Sequence, residues 1–464
     1  MSTAAGTSAT DHRQVILGAH FPGVNNTTVW ADPRSGSHIA FDSFTRFAQA
    51  AERGKFDFLF LAEGLRLREQ KGRIHDLDVV GRPDTLPVLA GLAAVTEHLG
   101  LAGTINLTYN EPYEVARQFA SLDHLSGGRA AWNAVTSSDA FTGENFRRGG
   151  YLPHDQRYVR AEEFIRAAKT IWDSWPAEAA GAASGPGRFE YHSTQFSIEG
   201  QPNVPRSPQG HPVIFQAGDS SEGREFAARN ADAIFTRHGA PEAGRRFYAD
   251  VKARAEASGR DPESLKVLPG ISFIIGDTDA QAEQIAADVR SQQVSPQTAI
   301  LILERLWNRD LSAFDPDGPL PDIEPDPEGP ALFAGRTRQH DDVHAEVNRL
   351  RKLAAARGLN LREAVIATQA RQSLIGSPQT VAQQIIEAVD TRACDGFILV
   401  PHITPGGLDP FVDKVVPLLQ ERGALREDYP QNAQLRDLLG LGVPSVQENA
   451  AAEVRASAGS PATV

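Results

Sequence analysis

The chain has one cysteine among 464 residues, so no intramolecular disulfide can form. Cys394 sits in the apolar run RACDGFILV, which favours a small buried residue over an exposed nucleophile. Basic character is also missing. Lys and Arg number 46 against 59 Asp and Glu, the net charge is −13, and no Lys/Arg run stands out, which argues against nucleic-acid binding. No stretch approaches the roughly 18 uninterrupted apolar residues of a membrane span, and MSTAAGTSATDHR lacks a basic segment followed by an apolar one, so a soluble, cytoplasmic protein is expected. Neither G-x-G-x-x-G after a strand nor G-x-x-x-x-G-K-[ST] occurs, which removes a Rossmann-type dinucleotide site and a P-loop.

What is present is a rhythm. Apolar runs at 14–20, 56–62, 101–108, 131–138, 211–218, 231–236, 265–275 and 394–401 alternate with amphipathic stretches. Helices are predicted from Phe41 to Arg53, Thr85 to His98, Tyr113 to Leu125, Gln156 to Trp175, Ser221 to Asn230, Glu242 to Ser258 and Pro410 to Arg422. Eight strands buried on both faces, each leading to a helix, predict an α/β fold: a (β/α)8 TIM-type barrel with insertions. The folded unit is expected over 13–442, with 1–12 and 443–464 as flexible termini rich in small residues. Insertions are predicted at about 176–210, with a hairpin around RFEYHSTQFSIE, and at about 293–376, where the Pro/Asp tract 314–330 reads as a solvated loop or lid.

In such a barrel, polar residues at the C-terminal ends of strands are candidates for chemistry. In VIFQAGDSSEGREFAAR a buried strand meets Gly218, Asp219, Ser220 and Ser221 before a helix carrying Gly223 and Arg224. Free N–H groups at a helix start, two hydroxyls and a guanidinium suit a phosphomonoester, or else form an ordinary helix cap, and Asp219 would repel an anion unless turned away. Thr104, Asn106 and Thr108 alternate along one strand, a polar ladder that calls for a ligand or buried water. Asn133, Thr136, Ser137 and Ser138 cluster at another strand end, and His20 ends the first strand. His154, Arg157 and Tyr158 share one side of a helix start. His340 and His344 imitate the H-E-x-x-H spacing, but their charged helix supplies no third ligand, so no metal site is expected.

Taken together, AERGKFDFLFLAE, EPYEVARQFASLDHLSGGRAAWNAVTS, HDQRYVRAEEFI, QAGDSSEGREFAAR and the ending DGFILVPHITPGGLDPFVDKVVPLLQERGALREDY…LRDLLGL resemble the bacterial luciferase-like flavin-dependent monooxygenases. They resemble most the large components that act on nitrilotriacetate, EDTA, dibenzothiophene sulfone, dimethylsulfide or long-chain alkanes. The resemblance implies a TIM-type barrel binding FMN at its mouth, a homodimer or homotetramer, and reduced FMN (FMNH2) supplied by a separate NAD(P)H:flavin reductase. It implies oxidation of a small organic substrate by O2 through a flavin C4a-(hydro)peroxide. Carried over by position, it places the FMN phosphate on Ser220 with Ser221 and Gly223, Ala62 against the isoalloxazine, Asn106 and Thr136 beside the flavin, Tyr158 by the ribityl–phosphate chain and His20 at the reactive face as the catalytic residue. Phe21, Phe60 and Trp132 are expected to line the mouth, with the 293–376 insertion folding across it. An F420-dependent hydride-transfer enzyme and a non-catalytic flavin-binding protein are the alternatives.

Overall fold

The computed structural model describes residues 12–21, 27–74, 82–136, 140–146, 154–175, 187–334, 342–369 and 373–444. Eight parallel strands close on themselves: β1 Ile16–His20, β2 Phe58–Leu61, β3 Gly100–Asn106, β4 Ala130–Val135, β5 Val213–Gln216, β6 Ala233–Thr236, β7 Lys266–Ile275 and β8 Gly396–Leu399. Each pairs with the next and β8 pairs with β1, so the apolar runs of the sequence form a TIM-type barrel. A strand at Ser373–Gly376, which the sequence reading placed inside an insertion, extends this sheet by pairing with Ser272–Ile275 of β7.

Alternation along the strands builds two cores. Ile16, Phe58, Phe60, Ala102, Ala131, Phe215, Leu268 and Ile398 fill the barrel, while Leu17, Leu59, Leu101 and Trp132 point outward against the helices. Gly18 makes the interior possible, because a Cβ there would stand 2.4 Å from the Phe58 ring. Leu435, Leu439 and Leu441 join the interior cluster from the C-terminal segment. Leu435 N–H donates to the Gly128 carbonyl just before β4, and Arg436 reaches His211 and Asp232 just before β5 and β6. The N-terminal end of the barrel is thereby plugged, which leaves the C-terminal end as the mouth.

The helix predicted over Thr85 to His98 ends at Ala93. Arg129 explains the early stop: its guanidinium donates to the carbonyls of Ala93, Thr96 and Leu99, holding that segment as a turn. The predicted hairpin is Phe189–His192 antiparallel to Ser197–Gly200. The second insertion has its own apolar core around Trp307, Leu350 and Val365. Its Pro/Asp tract is stitched down, Trp307 Nε1 donating to Ile323 and Asn308 to Asp326, Gly329 and Pro330. Phe333–Ala334 pairs with Glu69–Gln70 after β2, and Lys71 bonds the fully buried Glu304, so the insertion is fastened to the loop that leaves β2. Residues 1–11 and 445–464, expected as loose termini, lie outside the described residues. No described helix is long and apolar enough to cross a membrane.

Candidate active site at the barrel mouth

The mouth is floored by aromatic rings. Phe60 of β2 stacks with His20 of β1 at 5.4 Å and with Phe235 of β6 at 5.9 Å, and Phe215 of β5 meets it edge-on. His20 is 5% exposed. The expectation that Phe21 and Trp132 line the mouth is corrected by strand parity. Because His20 and Ala131 face inward, Phe21 and Trp132 turn outward, the first onto Phe44 and Phe47, the second onto Phe119, Phe164 and Trp172.

Above this floor lies the polar ladder, largely satisfied within the chain. Thr104 Oγ1 donates to Leu61 O (2.9 Å) and accepts from Asn133 Nδ2 (2.9 Å). Asn106 Oδ1 accepts the backbone N–H groups of Thr108 and Tyr109, which orients its Nδ2 toward Glu63 Oε2 at 3.0 Å. The unmet atom of the ladder is Asn133 Oδ1, a buried acceptor without a partner. Glu63, directly after Ala62, was not singled out from the sequence. Burial pushes its carboxyl up to about 7 against the lowering hydrogen bond from Asn106, so it exchanges a proton near neutrality. Thr136 lies half-buried one residue beyond β4, while Ser137 and Ser138 fall outside the described residues.

At the end of β5 the chain turns through Gly218 into the helix Ser221–Asn230. Ser220 caps that helix, its Oγ accepting from Gly223 N–H at 3.1 Å. Gly218 and Gly223 approach so closely that a Cβ on Gly223 would stand 2.8 Å from Gly218 Cα and 3.0 Å from Tyr158 Oη. The fold thus brings Tyr158, distant in sequence, against the turn that carries Ser220, Ser221 and Gly223, forming one glycine-lined cradle. Asp219 is engaged by basic neighbours. Burial would raise its pKa, but His238 Nε2 at 2.8 Å and Arg224 at 3.2 Å hold the carboxyl below its usual range, and Arg237 stands 3.6 Å away.

Other candidates fall elsewhere. His344 is exposed beside Glu324, His340 lies outside the described residues, and no group of three possible metal ligands occurs among the described residues. The His154 side chain is likewise outside them, and Arg157 is buried next to Tyr158. Cys394 is buried, its thiol pushed up to about 12 by desolvation, which suits packing and not nucleophilic attack.

A closed parallel barrel with its N-terminal end plugged, a polar ladder at the mouth and a helix-start turn after β5 has the architecture of a TIM-barrel enzyme. The luciferase-like monooxygenase family matches residues 21–394, and the chain belongs to it. It is 38% identical to N-acetyl-S-(2-succino)cysteine monooxygenase of Bacillus subtilis (strain 168), over 93% of this chain and 98% of that one. It is 38% identical to nitrilotriacetate monooxygenase component A of Aminobacter aminovorans, over 92% and 95%. Among solved structures, riboflavin lyase with modified FMN and riboflavin superposes with a TM-score of 0.74 at 29% identity, over 93% of this chain and 97% of that one.

Proposed function

We propose that this chain is the oxygenase component of a two-component monooxygenase, taking FMNH2 from a separate NAD(P)H:flavin reductase and oxidising a small organic molecule with O2. The observation that carries the reading is the Gly218–Ser220–Gly223–Tyr158 cradle. A side chain at either glycine would fill it, and its helix-start amides and hydroxyls suit a phosphate. Asn133 Oδ1, buried and unmet, matches an N–H of a flavin ring. Ser220, Ser221, Gly223 and Tyr158 would then hold the phosphate end, and Ala62, Asn106 and Thr136 the ring.

Reduced flavin supplies the electrons that activate O2, a reaction closed-shell organic molecules do not undergo readily alone. The chain's part is positioning and protection. The plugged barrel and the Phe60–Phe215–Phe235 floor exclude water from below. His20, buried and stacked on Phe60, would hold or move a proton at the mouth, and Glu63, just beyond the next strand, offers a second proton carrier. Homodimer or homotetramer assembly accompanies this reading. The test is oxygen uptake with a flavin reductase, NADH and FMN across amines, organosulfur compounds and alkanes. Substrate-dependent uptake with a product carrying one oxygen from O2 is expected. Uptake yielding hydrogen peroxide alone with every compound, or turnover only with F420, would reject it.

A further inference from the structure

The segments leaving β1 and β8 carry buried polar groups that the flavin seat does not use. The two segments are stitched by their backbones: Val29 N–H donates to His402 O at 2.8 Å and Gly36 N–H to Thr404 O at 2.6 Å. On them, Thr28 Oγ1, His402 Nδ1 and Thr404 Oγ1 are buried and meet no hydrogen-bond partner. Thr28 and Thr404 are 2% and 0% exposed. Each such group left unmet costs on the order of 1–3 kcal/mol, so each of the three calls for a partner. They lie past the C-terminal strand ends, on the same end of the barrel as the cradle, and β1 and β8 are neighbours in the sheet.

The chemistry of that partner follows from charge. The charged groups whose field reaches His402 are Arg34 and Asp32, and these are paired: Arg34 grips both Asp32 oxygens, at 2.9 and 2.6 Å. Burial keeps the imidazole neutral, its pKa pushed down to about 4. Two hydroxyls and a neutral imidazole can each donate one hydrogen bond, with no net positive charge to offset the desolvation of an anion.

We propose that Thr28, His402 and Thr404 form the substrate subsite and hold an uncharged oxygen acceptor of the organic substrate: a sulfonyl, sulfinyl, amide or ketone oxygen. The proposal rests on the oxygenase reading above and narrows it away from polycarboxylates at this position.

The test uses full-length protein labelled with 15N-histidine, the His402 signals being assigned by their loss in His402→Gln. Dimethyl sulfone and nitrilotriacetate are titrated separately, each with and without FMN. Dimethyl sulfone is expected to shift the His402 signals saturably, and the near-isosteric Thr28→Val and Thr404→Val to weaken that binding tenfold or more each, while nitrilotriacetate leaves the signals in place. Unchanged sulfone affinity in both valine variants, a preference for the carboxylate, or a structural water that stays on these groups in sulfone-soaked crystals would overturn the proposal. FMN titration of the same samples separates the two readings. No sulfone binding by the unsubstituted protein with FMN binding intact removes the subsite alone, whereas absent FMN binding removes the flavin seat while the flavin-free sulfone titration still decides the subsite.

Discussion

Replacing Gly223 by Ala puts one methyl group into the cradle and little else. The new Cβ would lie 2.8 Å from Gly218 Cα, a backbone atom that cannot swing away, and 3.0 Å from Tyr158 Oη. Two effects oppose each other in the free protein. Alanine inside a helix is better than glycine by up to about 1 kcal/mol, while overpacking costs about 1–3 kcal/mol. Net stability should therefore fall by about 3 kcal/mol at most. On the proposed seat the FMN phosphate would be hit harder, because the methyl crowds the turn that would hold it and displaces the Tyr158 hydroxyl. A loss of at least about tenfold in affinity, about 1.4 kcal/mol, is expected. The assay is a flavin fluorescence titration with FMN and, in parallel, riboflavin, beside a thermal melt. Riboflavin has no phosphate, so its affinity should barely change. Unchanged FMN affinity in a folded variant, or equal losses for both flavins, would refute the assignment of the cradle.

Ser220→Ala removes a helix cap as well as a phosphate contact, so it should cost about 1 kcal/mol in a denaturant titration and a further 1.5–3 kcal/mol, roughly, in FMN binding; a stability loss without an FMN effect would make Ser220 a cap only. Glu63, raised from 4.5 to about 7 in the folded state, contributes stability that is complete below its unfolded pKa and lost as pH rises through about 7. Over that window the wild type should lose up to about 3 kcal/mol relative to Glu63→Gln, read as denaturation midpoints that separate as pH rises; parallel pH profiles would show that Glu63 does not titrate there. His20→Ala should lower the fraction of oxygen that reaches product while leaving FMN affinity near its wild-type value, and unchanged coupling would take His20 out of the chemistry.

The barrel was legible because its strands are buried on both faces, and continuous apolar runs such as FDFLFLA and HPVIFQAG mark them plainly. The strand Ser373–Gly376 was hidden by its context, a short segment at the end of a long excursion, which only pairing with the overhang of β7 reveals. Trp132 and Phe21 were placed in the mouth by proximity in sequence, whereas the two-residue period turns them toward the helices. Glu63 and His402 escaped notice for one reason: a polar residue just beyond a strand reads as a turn, and its burial depends on loops from other strands. The cradle was legible as a motif, but its Tyr158 wall and the pairing of Asp219 with His238 are contacts across the fold.

Diffraction from crystals soaked with FMN tests the central claim most directly. The account requires the phosphate within hydrogen-bonding distance of Ser220 Oγ and the Gly223 amide, with the ring in the mouth above Phe60. A flavin bound elsewhere, or a phosphate that leaves this cradle untouched, would contradict it.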